Sequence, residues 1–407
     1  MLEYSFLLHL AIILLSTKLL GIITKKVQMP QVVGALAAGL ILGPAVLGII
    51  VETEFINQVA ELGVIVLMFT AGLETNLKEL KAAGKASFII ALFGVLVPLA
   101  AGFGIAVLFN NNGSFSFSQM DTKVILENIF IGIVLTATSV SITVETLKEL
   151  GKLNTRTGTA ILGAALIDDV LGIIGLTVII SSTDSSVQIS TVLLKILGFF
   201  VLAALIGFPF YYFFKKYTES YDKRKRRFII IAFAFCLVMS YIAEHYFGVA
   251  DITGAFIAGV VISNTAHSKY ITRRFEILSY MFLSPIFFAS IGLSVTLTGM
   301  TTNIIIFSVL LLIVAILTKI LGCGFGALIC KYKKSEALQI GVGMISRGEV
   351  ALIVASKGAA VGLMKAIFFG PIIIMVVVTT IITPILLKLV FGKKPQKDIT
   401  ASEAKHL

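Results

Sequence analysis

Two adjacent acids, Asp168 and Asp169, stand inside an otherwise uncharged run, GAALIDDVLGIIGL. An ionisable side chain in an apolar helix costs about 2.5–3.5 kcal/mol on insertion scales, so it marks a functional candidate. Neighbours on a helix project about 100° apart, so the two carboxylates cannot face the same partner. One can pair with a fixed cation while the other faces a water-filled cavity. Two carboxylates this close in a poor dielectric do not both ionise freely. Such a site can hold either a proton or a metal cation, and alkali ions, being hard, take oxygen ligands. Lys319, in AILTKILGCG, is the lysine deep in an apolar run and is the expected fixed cation. A purely structural salt-bridge knot is the competing reading. It weighs most for Arg347 and Glu349, in GMISRGEVALIV.

A second polar feature is VLTATSVSIT, with Thr136, Thr138, Ser139, Ser141 and Thr143 in an apolar setting. Hydroxyls can satisfy backbone groups freed where a helix breaks. They also serve plain helix packing, which is the alternative for each of them singly. The polar break SRGE lies seven apolar segments later, and broken helices at matching places are where transporters build ion sites.

The elements that carry these residues are membrane helices. The chain has 407 residues, 57% hydrophobic and only 14% charged, with a mean hydropathy of +1.02. Soluble domains carry about 25% charged residues, so a soluble enzyme is excluded. Thirteen apolar segments are long enough, or nearly so, to span a bilayer. They cover 4–24, 31–51, 58–73, 86–109, 127–144, 158–181, 190–214, 228–247, 250–263, 277–297, 304–329, 336–360 and 367–390. The third and ninth are short. Lys18 and Lys388 are expected to snorkel to an interface, and Glu61 reads as a helix-start acid. The N-terminus MLEYSF lacks a basic leader region, so the first segment is expected to stay as a helix. Cys236, Cys323 and Cys330 give neither a disulfide framework nor metal-ligand spacing.

The net charge of +11 does not point to nucleic acid. Loops after odd-numbered segments, with the tail, hold most of the 33 basic residues, whereas loops after even-numbered segments hold at most Lys123, Lys195 and Lys365. The positive-inside rule then puts the N-terminus outside and the C-terminus in the cytoplasm. It makes loop 219–227 cytoplasmic and residues 110–120 external.

An internal repeat organises the segments. GALAAGLIL at 34–42 and GAFIAGVVI at 254–262 share Gly34, Ala35, Ala38 and Gly39 with Gly254, Ala255, Ala258 and Gly259. The same offset of 220 pairs Gly72, Leu73 and Leu77 with Gly292, Leu293 and Leu297. The matched segments are seven apart, an odd number, so the copies insert in opposite orientations. Inverted repeats of six segments, joined by a connecting helix, are a signature of secondary transporters.

Taken together, the Asp-Asp pair, the TKILG lysine, the RGE of segment twelve and the opening MPQVVGALAAGLILGP resemble the second branch of the cation:proton antiporter superfamily. Within it the chain is similar to bacterial sodium/proton antiporters with a paired intramembrane aspartate. The resemblance implies an all-α membrane fold of about thirteen helices with two discontinuous crossing helices. It implies a dimerising scaffold (1–84 and 228–300), a moving ion-carrying core (85–182 and 301–392), a connecting helix (190–214) and a short tail (393–407). It also implies that Asp169 binds Na⁺ or H⁺ and that Asp168 pairs with Lys319; Thr136, Thr138, Ser139, Arg347 and Glu349, from the hydroxyl run and the polar break, are the expected supporting residues. Exchange of Na⁺, or of Li⁺ or K⁺, for H⁺ would need no cofactor and no enzymatic activity, in a homodimer in the cell membrane. An aspartyl protease fits poorly, because it needs two carboxylates face to face. A cation channel needs a filter loop or charge ring, and none is visible.

Overall fold

The computed structural model describes residues 5–26, 31–75, 77–110, 121–183, 189–219, 227–265, 267–294, 302–360 and 362–392. Residues 111–120, most of loop 219–227, the tail 393–407 and Leu297 of the repeat lie outside the described residues. The described chain is helical, with no strand. Helices α1 (Ser5–Lys26), α2 (Gln31–Leu42), α3 (Glu54–Glu74) and α4 (Leu77–Asn110) come first. A split pair follows, α5 (Thr122–Val134) and α6 (Val140–Glu149), then α7 (Arg156–Thr183) and the long α8 (Ile189–Glu219). The second half holds α9 (Arg227–Tyr241), α10 (Asp251–Ser263), α11 (Ser268–Leu278), α12 (Ser284–Leu293) and α13 (Thr302–Ile329). It closes with a second split pair, α14 (Lys334–Gly343) and α15 (Glu349–Ala360), and α16 (Phe369–Phe391).

Nine of the described helical stretches are long and apolar enough to cross a membrane. The shorter α2 and α10 and the two split pairs occupy the other predicted segments. Three boundaries differ from the sequence reading. Segment two ends as a helix at Leu42, not at residue 51. Gly43 and Pro44 follow, and a proline disfavours helical backbone at the residue before it. Segment three is longer than expected: Thr53 caps α3, its hydroxyl accepting from the Ile56 N–H at 3.3 Å. Glu61 therefore sits two turns inside the helix, and Glu54 is the first-turn acid. Helix α4 begins at Leu77, ahead of the expected segment start at 86.

The repeat is built into the packing. A Cβ on Gly39 would overlap the Ala289 carbonyl, and one on Gly259 would overlap that of Phe69. Ala289 and Phe69 are themselves 220 apart. Likewise Gly72 abuts Phe256, while Gly292 abuts Leu36 and Leu40. So α2 lies on α12 as α10 lies on α3, through the same missing side chains. Small residues of this kind let membrane helices approach backbone to backbone. Gly34 against α1 and Gly254 against α9 repeat the relation once more.

A second set centres on α4 and α13, which lie face to face, with α5 and α7 against α4 and with α14 and α16 against α13. The two sets meet at α6. Lys148 Nζ lies 3.0 Å from Glu74 and 3.3 Å from Glu276, and Glu149 accepts from the Gln31 N–H at 2.9 Å. Lys18 is exposed on α1 and donates to the Tyr280 hydroxyl.

Candidate ion-binding site

Asp168 and Asp169 sit near the middle of α7, both buried. Lys319 reaches Asp168 from the facing α13, with Nζ 3.0 Å from Oδ1 and 3.1 Å from Oδ2. Lys319 and Asp168 are buried to 0% and 1% exposure. In so dry a setting the pair holds only because the charges cancel and Nζ spans both oxygens. Asp169, one residue on and 5% exposed, points elsewhere around the helix.

The close approach of α4 and α13 has a requirement that sequence reasoning missed. A Cβ on Gly94 of α4 would stand 2.6 Å from Cys323 Sγ and 3.6 Å from Lys319 Nζ. Gly322 and Gly326 of α13 lie equally tight on Phe93 and Ile90. A glycine at each of these crossings lets the lysine lie flat between the helices.

Beside the carboxylates the two split pairs cross. Helix α5 stops at Val134 and α6 restarts at Val140; α14 stops at Gly343 and α15 restarts at Glu349. Every freed backbone group needs a partner in this apolar setting. The Ser139 N–H donates to the Ser346 carbonyl at 2.7 Å, and the Ser346 hydroxyl returns a bond to the Ser139 carbonyl at 3.0 Å. The Thr143 hydroxyl donates to the Gly343 carbonyl at 2.7 Å, and Thr136 donates to Ile133 at 2.8 Å. Thr138 is fully buried beside Asp168. Gly348 passes so close to Ser139 that a Cβ would stand 2.6 Å from its hydroxyl.

Among the described residues no carboxylate lies within salt-bridge distance of Arg347. Its guanidinium is wholly buried and donates to carbonyls: Ile345 at 2.8 Å, Met344 at 3.3 Å and Ala315 of α13 at 3.2 Å. A cation there opposes the negative end of α14 and ties the crossing to the helix that carries Lys319. Its own backbone is held by α16, with Thr379 accepting from the Arg347 N–H at 3.2 Å and Thr380 donating to its carbonyl at 2.6 Å. Ser346 belongs to the SRGE break, whereas Thr379 and Thr380 are not anticipated from the sequence. The Thr-Thr pair in an apolar run was the available signal. Glu349 opens α15.

The arrangement is a buried, oxygen-rich junction with one neutralised and one further carboxylate, suited to a small hard cation or a proton. The family described as "Sodium/hydrogen exchanger, transmembrane" matches residues 11–393. The chain is 39% identical to the Na⁺/H⁺-K⁺ antiporter GerN of Bacillus cereus, over 98% of this chain and all of the relative. It is 36% identical to a Na⁺/H⁺ antiporter of Enterococcus hirae, over 95% and 97% of the two chains. The structure of the sodium proton antiporter MjNhaP1 of Methanocaldococcus jannaschii superposes with a TM-score of 0.71 at 19% identity, over 95% and 97% of the two chains. The chain belongs to the sodium/hydrogen exchanger family of the cation:proton antiporter superfamily.

Proposed function

We propose that this chain exchanges Na⁺ for H⁺ across the membrane by alternating access, with Asp169 as the group that carries one or the other. The observation that carries the reading is a buried aspartate next to an already neutralised Asp168–Lys319 pair, at a crossing of two broken helices. The names of the relatives support the class of activity. GerN is named for K⁺ as well as Na⁺, so Li⁺ and K⁺ belong in any test of selectivity. An antiporter of this kind makes and breaks no covalent bond in its cargo and needs no cofactor.

In the proposed cycle, helices α4 to α7 and α13 to α16 move as a core against a scaffold of α1 to α3 and α9 to α12. The glycine seams support the second group as one rigid piece. Homodimerisation through that scaffold, residence in the cell membrane, an external N-terminus and a cytoplasmic C-terminus complete the reading; the loop charges support the last two.

Asp169→Asn tests the site. The protein should fold and insert, yet show no cation-driven proton movement in everted vesicles with Na⁺, Li⁺ or K⁺. For the wild type, one-for-one competition makes the apparent cation affinity weaken about tenfold per pH unit on the acid side of the site's own titration. Robust exchange by the variant, or a cation affinity independent of pH, would sink the assignment.

A further inference from the structure

A second concave site lies in the same helix set, away from Asp169 and on the face where the basic loops gather. The ends of α4 and α13 and the start of α7 enclose a cavity of about 850 Å³. Lys85 comes to it from α4, Arg156 from the first residue of α7, and Lys331 from the turn after α13. The opposite lining is apolar, with Ile89 half-buried and Ile329 48% exposed. The cavity thus has a charged end and an end continuous with the lipid-facing surface.

Basic residues at this face are expected from topology alone, so their number decides nothing. Two further observations do. First, Lys331 has φ +60°, and among the described residues it is the non-glycine residue with positive φ. It occupies the position after a helix where glycine is the ordinary residue, because a Cβ is strained there. The flanking bonds, Tyr332 N–H to Ala327 at 3.1 Å and Lys331 N–H to Leu328 at 3.0 Å, complete that helix-ending motif. A lysine kept where glycine fits better suggests a use for its charge. Second, the Arg156 guanidinium lies over the buried Tyr332 ring, 4.1 Å from its centroid. Among the described residues its one carboxylate within salt-bridge distance, Glu336, is 3.6 Å away, beyond a close bidentate contact. Three cations against one acid leave the cavity electropositive.

We infer that this cavity binds an anionic phospholipid, its phosphate among Lys85, Arg156 and Lys331 and an acyl chain along Ile89 and Ile329. Basic pockets between membrane helices are suited to such headgroups, and the apolar end favours a lipid over a free anion. Of these elements α7 also carries Asp168 and Asp169, and α13 carries Lys319, so a lipid seated there rides on helices that hold the site.

Cys330 lines the cavity, whereas Cys236 and Cys323 are buried, so a maleimide reports its occupancy. The purified full-length protein in detergent is labelled with and without phosphatidylglycerol, phosphatidylcholine or inorganic phosphate, and the rate ratio is taken within each variant. Phosphatidylglycerol at about ten times its Kd should slow wild-type labelling about tenfold, and the other two additives should not. Lys85→Ala and Lys331→Gly should lose this protection, and Lys85→Arg should keep it. Lys331→Gly relieves the strained backbone, so its melting temperature without lipid should match or exceed that of the wild type. Equal protection by phosphatidylcholine, or full protection in both Lys85→Ala and Lys331→Gly, overturns the site. Equal protection by inorganic phosphate overturns the lipid as its occupant.

Discussion

The seam between α2, α3, α10 and α12 and the crossing of the split helices solve opposite problems. At the seam nothing polar is at stake, and the two halves meet through glycines that contact each other's counterparts 220 residues apart. Close packing demands only the absence of a side chain, and both copies satisfy that demand identically. At the crossing, backbone groups are bare and a charge must be held. There the halves have diverged: the α5–α6 break is lined by hydroxyls, while the α14–α15 break is closed by Arg347. Symmetry survives where the requirement is steric and is lost where it is electrostatic.

This contrast can be broken in order of expected effect. The most damaging single change should come at the buried pair. Lys319→Ala or Asp168→Asn leaves an uncompensated charge, expected to cost about 3–5 kcal/mol. The double variant should be milder than the sum, and strictly additive losses in melting temperature would refute pairing. Arg347→Met should follow, at about 3 kcal/mol, because it strands the carbonyls of Ile345, Met344 and Ala315. Arg347→Lys should recover only part of this, since an ammonium is a point charge and not a fork; full recovery would show that charge alone matters there.

The seam should respond more weakly and symmetrically. Gly39→Ala and Gly259→Ala should each cost about 1–3 kcal/mol through overpacking. If thermal denaturation shows one severe and the other silent, the two seams are not equivalent. Smallest of all, Thr380→Val removes one hydrogen bond to the Arg347 carbonyl, worth about 1 kcal/mol. A change in ion selectivity with unchanged stability would instead place Thr380 in the ion path.

Much of this was legible from the residues. The Asp-Asp pair, Lys319 and the hydroxyl run stood out because polar groups in an apolar helix are costly, and the repeat stood out because its glycines recur at one offset. Both signals are local in the chain. Lys319 is expected as the partner of Asp168 from the scarcity of deep lysines, and the structure places its Nζ 3.0 Å from Asp168 Oδ1.

What tertiary structure alone decided is everything that depends on two distant segments meeting. The guanidinium of Arg347 reaches the Ala315 carbonyl, 32 residues away. Gly94 resembles any other helical glycine until α13 is laid against it and Lys319 needs the space. Ser346 and Thr380 gain meaning only from the backbone groups they satisfy. Composition and spacing report the cost of placing a group in the membrane, and that cost is set residue by residue. The partner that repays it is chosen by packing, which the linear order does not contain.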